Sequence, residues 1–214
     1  MIIAVLCAPA LRAEMLTYRP LPERPGISIS LPYSFGTHDD QVARISGELR
    51  LDPDAPEAAS GKLSVPIEAI VSGNNERDCH MREALGLDYA RSRYPRDHVC
   101  ANDALPAGAI AFPEIVLEVR SVKAPPVSEL AVGKETPISL DASWTIHGVT
   151  RPARLQLTAS RDAKTPGAVR IRGSLPIRLA DFGVVVKSAQ VLFVTSSVAE
   201  VATVQFDLKL APAR

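Results

Sequence analysis

The sequence predicts an all-β protein: an antiparallel up-and-down (lipocalin-like) barrel of about eight strands, with a short helix and a long loop covering one end. Three observations predict it. Apolar and polar residues alternate along most of the chain, turn-forming residues separate the alternating runs, and one interruption has helical spacing. Strands with one apolar and one polar face form antiparallel sheets, and a sheet of this length tends to close on itself. A β-sandwich has the same alternation, so periodicity alone does not separate the two architectures.

The chain begins with an apolar run, MIIAVLCAPALRA, that ends in small residues. Its composition is typical of a secretory signal peptide, although no basic residue precedes the apolar run. We therefore expect residues 1–13 to be a signal peptide, residues 14–26 an extended segment, and residues 27–214 a single barrel domain. The mature protein is then periplasmic or secreted. No other stretch approaches the ~20 apolar residues of a membrane-spanning helix.

Eight alternating runs follow in order, and each predicts a strand with one apolar face. The runs cover residues 27–35, 43–51, 63–71, 115–119, 140–146, 155–159, 169–177 and 202–210. Glycine, threonine and aspartate are concentrated at residues 36–40, which predicts a turn between the first two runs.

One segment interrupts the alternation between the third and fourth runs. Met81, Leu85 and Tyr89 recur at four-residue spacing, which predicts a helix over residues 78–94 with Asp78 as its cap. A loop containing Cys100 follows the predicted helix. We expect the helix and the loop to lie over one end of the barrel.

Two cysteines, Cys79 and Cys100, remain once the predicted signal peptide is removed. An oxidising compartment favours a disulfide between them, which would stabilise the protein by roughly 3 kcal/mol in the chain-entropy model. The alternative is a pair of buried free thiols.

Charge and motif content exclude several function classes. The 24 basic and 24 acidic residues cancel, so no electrostatic field favours a nucleic-acid partner. The four histidines lack metal-site spacing, and no nucleophile elbow or phosphate loop is present, so we expect no metal, no cofactor and no enzymatic activity. Few aromatic residues, and outward charges such as Arg170 and Lys209, argue against stable membrane insertion as a barrel.

The apolar faces of the strands are the remaining feature that could bind a ligand. Hydrophobic residues make up 46% of the chain but aromatic residues only 5%, so the barrel interior must be mainly aliphatic. Small residues at presumed inward positions leave space for a cavity: Ala43, Gly47, Ala69, Ala142, Ala159, Val169, Gly173, Ala202 and Val204. An eight-stranded barrel is either filled by side chains or holds one small ligand, and these residues alone leave both interpretations open.

Four short motifs occur in order along the chain. They are Arg77-Asp78-Cys79-His80-Met81, Phe112-Pro113-Glu114-Ile115, Trp144-Thr145-Ile146-His147-Gly148-Val149-Thr150-Arg151-Pro152 and Ala180-Asp181-Phe182-Gly183-Val184. Together they resemble R-D-x-H-L, aromatic-Pro-x-Ile, L-T-I-H-G-V-T-K-P and S-D-F-G-I, the motifs of the YceI-like, polyisoprenoid-binding, lipocalin-like family. The family usually has D-F-F-D-V shortly before the aromatic-Pro pair. This chain instead has a long stretch between Leu85 and Phe112, so its entrance cover is expected to be larger.

The resemblance implies an exported barrel that holds a polyisoprenoid or another long-chain amphiphilic lipid in its lumen, for transport or storage, without catalytic residues. The alternative is a non-catalytic structural or protein-interaction β-domain with a filled core. The predicted lumen residues are Ile45, Val65, Ile67, Leu117, Trp144, Ile146, Leu155, Leu157, Ile171, Phe182, Val204 and Phe206. The predicted entrance residues are Arg77, His80, Arg82 and Tyr94, although a solvated charged surface explains the arginines better. The sequence leaves open whether the protein forms a homodimer.

Overall fold

The structure, a computed structural model, describes residues 14–21, 26–87, 110–186, 189–191 and 194–213. In this part of the chain the strands are β1 (Leu16–Pro20), β2 (Gly26–Tyr33), β3 (Gly36–Val42), β4 (Ser46–Asp52), β5 (Ala55–Pro66), β6 (Ile70–Val71), β7 (Glu114–Lys123), β8 (Thr136–Ile146), β9 (Val149–Arg161), β10 (Val169–Arg178), β11 (Ala189–Val191), β12 (Val194–Ser196) and β13 (Val201–Pro212). The helix α1 (Asn75–Gly86) lies between β6 and β7. None of the described helices is long and apolar enough to span a bilayer.

Eight of these strands close into a barrel, and all their pairings are antiparallel. The order around the ring is β1, β4, β5, β7, β8, β9, β10 and β13, and β1 also pairs with β13. Tyr18 at the middle of β1 lies opposite Leu49 on one side and opposite Pro212 on the other. The predicted closed antiparallel barrel is therefore confirmed. Its first strand lies within the segment 14–26 that was expected to be extended.

The amino-terminal strands depart from a simple up-and-down order. β2 pairs with β13 along residues 203–207, β3 pairs back onto β2, and β6 pairs onto β3. Residues 36–40 form the first part of β3, so the turn predicted there was wrong. The turn is shorter, because Tyr33 already lies opposite Gly36. Polar residues occur on both faces of β3, so it lacks the alternation that marks the other strands.

Alternation along the strands separates the apolar interior from the polar exterior, because successive side chains of a strand point to opposite faces. On β8, Leu140 and Ile146 are buried while Asp141 between them is exposed. Outward charges on neighbouring strands pair with each other. Arg170 donates two hydrogen bonds to Asp207, the second from Nη2 to Oδ2 at 2.5 Å. Such partly exposed pairs contribute little individually to the stability of the barrel.

The helix α1 starts earlier than the sequence predicted. Asn74 caps it, and the Asn74 side chain accepts a hydrogen bond from the backbone N–H of Arg77 at 3.0 Å. The assignment of Asp78 as the cap was wrong. Asp78 is buried in the first turn, and its carboxylate accepts hydrogen bonds from the backbone N–H and the hydroxyl of Ser72, at 2.8 and 2.6 Å. Asp78 therefore fixes the link between β6 and the helix.

The predicted helical stripe lies partly within the described residues. Met81 and Leu85 are half-buried and pack against the core of the barrel. Tyr89 and the rest of the predicted helix to residue 94 lie outside the described residues. The helix ends at Gly86, whose carbonyl accepts hydrogen bonds from the N–H groups of Ala111 and Phe112 at 2.7 and 3.0 Å.

Candidate functional site

An apolar cavity occupies the interior of the barrel. Its volume is ≈ 880 Å³ when the space at its open end is included. All described residues that line it are apolar: eight isoleucines, eight leucines, four valines, Trp144 and Phe206. Binding sites for small molecules are typically concave and mainly apolar. The cavity is therefore the candidate functional site.

Ten of the twelve predicted lumen residues line this cavity: Ile45, Val65, Leu117, Trp144, Ile146, Leu155, Leu157, Ile171, Val204 and Phe206. Their contact with a lipid stays a prediction. The other two, Ile67 and Phe182, are buried but do not line the cavity, so their placement there was wrong. Each lies in a short 3-10 turn, Ile67–Ala69 or Leu179–Phe182, where the chain has left its strand. The period of two no longer decides the orientation of a side chain in such a turn.

The lining also contains residues that were not named from the sequence. They are Ile27, Ile29, Val42, Leu49, Leu63, Ile70, Ile115, Val119, Leu140, Ile177, Leu208 and Leu210. Ten of them lie on the apolar faces of the predicted runs, so the alternation itself was the signal that could have found them. Ile70 lies on the face of its run opposite to the predicted apolar positions, and Val42 immediately precedes the second run. The two residues are paired with each other between β3 and β6.

The cavity does not depend on the small residues that were presumed to face it. Of those nine residues, only Val204 lines the cavity. Ala43 and Gly47 are exposed, which contradicts the prediction, while Ala69, Ala142, Ala159, Val169 and Ala202 are buried outside the lining. Gly173 is covered by a neighbour: a Cβ built on it would lie 2.3 Å from Cδ2 of Leu157. The space therefore lies among branched aliphatic side chains within a ring of eight strands.

Two aromatic rings approach each other in the lumen. Trp144 of β8 and Phe206 of β13 have ring centroids 6.2 Å apart and planes inclined by 28°. Trp144 is 9% exposed. Its indole Nε1 is buried and has no hydrogen-bond partner within the described ranges.

The turn between β8 and β9 contacts the chain at the C-terminal end of α1. His147 and Gly148 have φ angles of 50° and 73°, the left-handed pair typical of a type I′ hairpin. His147 Nε2 lies 2.8 Å from the carbonyl oxygen of Leu87, and its ring meets the ring of Phe112 edge to face at 4.7 Å. A Cβ on Gly148 would lie 2.4 Å from Cε1 of Phe112. The I-H-G-V motif thus contacts the chain both before and after the long segment that follows α1.

Three predicted entrance residues lie on α1. Arg77 is exposed, and its Nη1 lies 3.4 Å from Nδ1 of His38. The His80 Nδ1 lies 3.4 Å from Oε2 of Glu83, whose side chain is buried. Arg82 is half-buried, and its Nε has no hydrogen-bond partner among the residues that the structure describes. The two arginines place positive charge along the helix.

The remaining two residue predictions involve positions that the structure does not describe. Tyr94 lies outside the described residues, and so does Cys100, the predicted disulfide partner. Cys79 is 4% exposed in the first half of α1. The disulfide stays a prediction.

A carboxylate pair lies next to the amino-terminal part of α1. Asp40 on β3 is 8% exposed, and burial, with the nearby Asp78 carboxylate as the second cause, raises its pKa above the ordinary value. Burial, followed by the positive charge of Arg77, lowers the pKa of His38. Neither the Asp40 and Asp78 carboxylates nor the His38 and Arg77 side chains line the lumen. The described residues contain no group of three or more His, Cys, Asp or Glu side chains that could hold a metal ion.

Comparison with known proteins gives one family match. The family model described as YceI-like domain matches residues 28–210, which is most of the chain. No curated protein matches the sequence.

Several solved structures resemble the chain. A polyisoprenoid binding domain from Saccharophagus degradans, implicated in plant cell wall breakdown, is 16% identical, with a TM-score of 0.62, covering 92% of this chain and 99% of that one. BcnA from Burkholderia cenocepacia is 13% identical, with a TM-score of 0.56, covering 86% and 96%. A YceI protein from Campylobacter jejuni is 12% identical, with a TM-score of 0.50, covering 82% and 84%. At these identities the resemblance establishes a shared fold.

Proposed function

The chain belongs to the YceI-like domain family, and we propose that it is an exported protein that holds a polyisoprenoid or similar amphiphilic lipid in its barrel lumen. The observation that carries the proposal is the lining of the cavity, in which every described residue is apolar. A similar fold is described as a polyisoprenoid binding domain, which supports the same class of ligand here.

The chemistry of the lumen favours a long apolar chain over a compact polar ligand. Removing apolar surface from water contributes about 25 cal/mol for each Å², so affinity can grow with chain length without specific polar contacts. A charged group inside this lining would lose its hydration and gain no described partner of opposite charge. The ligand is therefore apolar along most of its length.

A polar headgroup is proposed to remain at the end of the barrel where α1 lies. Arg77, His80 and Arg82 lie on that helix, and two of them are arginines that can pair with an anionic headgroup. The half-buried position of Arg82, with its buried and unpartnered Nε, makes it the first of the three to substitute. Tyr94 stays a further predicted entrance residue.

The proposal has three further parts: the protein is exported, it transports or stores the lipid, and it has no catalytic activity. Residues 1–13 are proposed to act as a signal peptide, so that the protein is periplasmic or secreted. In that oxidising environment Cys79 is proposed to pair with Cys100. Peptide mapping without reduction, on protein recovered from the exported fraction, tests both statements, because it identifies the first residue of the chain and any peptide joined through the two cysteines.

The binding proposal is tested by native mass spectrometry and organic extraction of the purified full chain. We expect a bound lipid, together with saturable binding of an isoprenoid probe. Val204→Phe fills the lumen from a lining position, and Gln205→Phe adds the same ring at the exposed neighbouring position. Each ~55 Å² of apolar surface that the lipid no longer buries corresponds to about 1.4 kcal/mol, or about tenfold in affinity. We therefore expect Val204→Phe to weaken binding by about tenfold or more and Gln205→Phe to leave it unchanged.

Two results would count against lipid binding in the lumen. If the wild-type protein carries no lipid and binds no isoprenoid probe, the proposal is refuted, and a structural domain with a filled core is favoured. If both phenylalanine variants bind as tightly as the wild type, the lipid does not lie in the lumen.

A further inference from the structure

One buried hydrogen-bond donor belongs to a side chain of the otherwise apolar lining. Trp144 is the only tryptophan in the chain, and its side chain lines the lumen. Its Nε1 is buried and finds no hydrogen-bond partner in the described part of the chain. Buried N–H groups without an acceptor destabilise a protein and are rare in native structures, so this one requires an explanation.

The described residues offer no acceptor for this group. The other described residues of the lining are isoleucine, leucine, valine and Phe206, none of which has a side-chain acceptor. The backbone of β8 around Trp144 is paired with Leu117 of β7 and with Arg151 of β9, so its carbonyl groups are used in the sheet. With no acceptor among the described residues, a ligand of the lumen is the candidate partner.

A water molecule is a poor candidate for this acceptor. Ordered buried water needs two to four polar partners, and the described lining supplies a single donor. A lipid oxygen has no such requirement, because the apolar chain to which it is attached is held by burial against the wall.

We propose that the lipid in the lumen carries an uncharged oxygen that accepts a hydrogen bond from Nε1 of Trp144. This inference rests on the proposed function, because the oxygen arrives on the ligand of the lumen. Indole N–H is a donor only, so its partner must be an acceptor. No cation is present in the described lining, so the oxygen belongs to a ketone, ester, ether or hydroxyl group and not to a carboxylate or phosphate.

The indole N–H is covered in the structure, so the surroundings of the indole must rearrange when the oxygen binds. Nε1 is covered by neighbouring atoms, and the ring of Phe206 lies 6.2 Å from the indole, centroid to centroid. The oxygen therefore reaches Nε1 only if the indole or a side chain that covers it moves. A signal from the indole itself is consequently the direct readout.

A matched pair of probes separates this inference from lipid binding in general. Phytone (6,10,14-trimethylpentadecan-2-one) and pristane (2,6,10,14-tetramethylpentadecane) share one branched skeleton, and the ketone oxygen of the first replaces a methyl group of the second. Their affinities are measured by displacement of a fluorescent lipid from the full chain. The ketone oxygen is better hydrated than the methyl group, so the ratio of the two affinities is compared between proteins. We expect the ratio of phytone to pristane affinity to be about two- to tenfold higher in the wild type than in protein without the N–H, the range that corresponds to one net hydrogen bond.

Isotope labelling and an amino-acid analogue allow the indole to be observed and altered while every other residue stays the same. Protein labelled with ¹⁵N-indole tryptophan gives one N–H signal, which is expected to move downfield with phytone and not with pristane. Replacing tryptophan throughout by 3-benzothienylalanine exchanges only this N–H for sulfur, since the chain has one tryptophan. The phytone-to-pristane affinity ratio should then fall, and Trp144→Phe provides the same comparison if the analogue protein does not fold.

The outcomes are distinguishable. A phytone-to-pristane affinity ratio that falls with the analogue, together with the downfield shift, supports the inference. A ratio that is unchanged by loss of the N–H overturns it and leaves lipid binding intact. Failure of both probes to bind the wild-type protein contradicts the proposed function and the inference together.

Discussion

The turn between β8 and β9 supplies a quantitative test of the packing at the helix end of the barrel. Gly148 has a φ of 73°, and a Cβ on it would lie 2.4, 2.9 and 3.1 Å from three atoms of the Phe112 ring. Gly148→Ala therefore introduces two costs. The left-handed backbone costs roughly 1–2 kcal/mol for an L-residue, and displacing the ring from a packed position adds about 1–3 kcal/mol. We expect the free energy of unfolding to fall by about 2–5 kcal/mol.

A matched glycine isolates the second cost. Gly133 has a φ of 68°, and a Cβ on it would meet no atom within 4 Å. Gly133→Ala is expected to lose only the backbone contribution, about 1–2 kcal/mol. Urea unfolding of both variants at pH 7 gives the two values, and their difference measures the collision with Phe112.

A double-mutant cycle completes this test. In a Phe112→Ala background, Gly148→Ala should cost no more than Gly133→Ala, because the colliding ring is gone. Equal destabilisation by Gly148→Ala and Gly133→Ala in the presence of the ring would refute the close packing of Phe112 on the turn.

Two further predictions concern pH. The hydrogen bonds from Arg170 hold the pKa of Asp207 below its ordinary value, so its charge stabilises the fold above the unfolded pKa of about 3.9 and ceases to do so as the pH falls through the folded pKa. Asp207→Asn should therefore lower stability at pH 7 by about 1 kcal/mol in urea unfolding, with the difference from wild type vanishing at strongly acidic pH; a constant difference would contradict the assignment. Burial raises the pKa of Asp40, so ionised Asp40 destabilises the fold once the pH exceeds the unfolded pKa and rises through the folded one. Asp40→Asn should stabilise the protein at pH 7 by about 1 kcal/mol and have no effect below about pH 3, whereas destabilisation at pH 7 would show that the carboxylate has a favourable partner.

The strands and most of the lumen were predictable because alternation is a direct consequence of strand geometry. Leu155 and Leu157 line the cavity on one predicted run, and Val204 and Phe206 on another, as the period of two requires. Ile67 continues the same alternation in sequence, but the chain turns away after Pro66, so pattern and structure diverge there.

Other features depended on contacts that a local pattern does not contain. Asn74 and Asp78 are both good caps by residue type, and only the position of Ser72, which bonds Asp78, decides which one serves. The volume of the lumen was likewise attributed to small residues such as Ala142. The structure shows that a ring of eight strands leaves space even between isoleucine and leucine side chains, which is a property of the closed ring and not of any one strand.

The closing contact of the barrel joins residues from nearly opposite ends of the described chain. The N–H of Leu21 donates to the carbonyl oxygen of Lys209 at 3.0 Å, and that of Ala213 donates to Thr17 at 2.7 Å. Contacts of such sequence separation carry the largest loop-closure entropy and form slowly. The lumen therefore has no complete wall until β13 has been synthesised and paired with β1. Until then the apolar inner face stays open to water, so the pairing of β13 with β1 decides when the barrel acquires an interior.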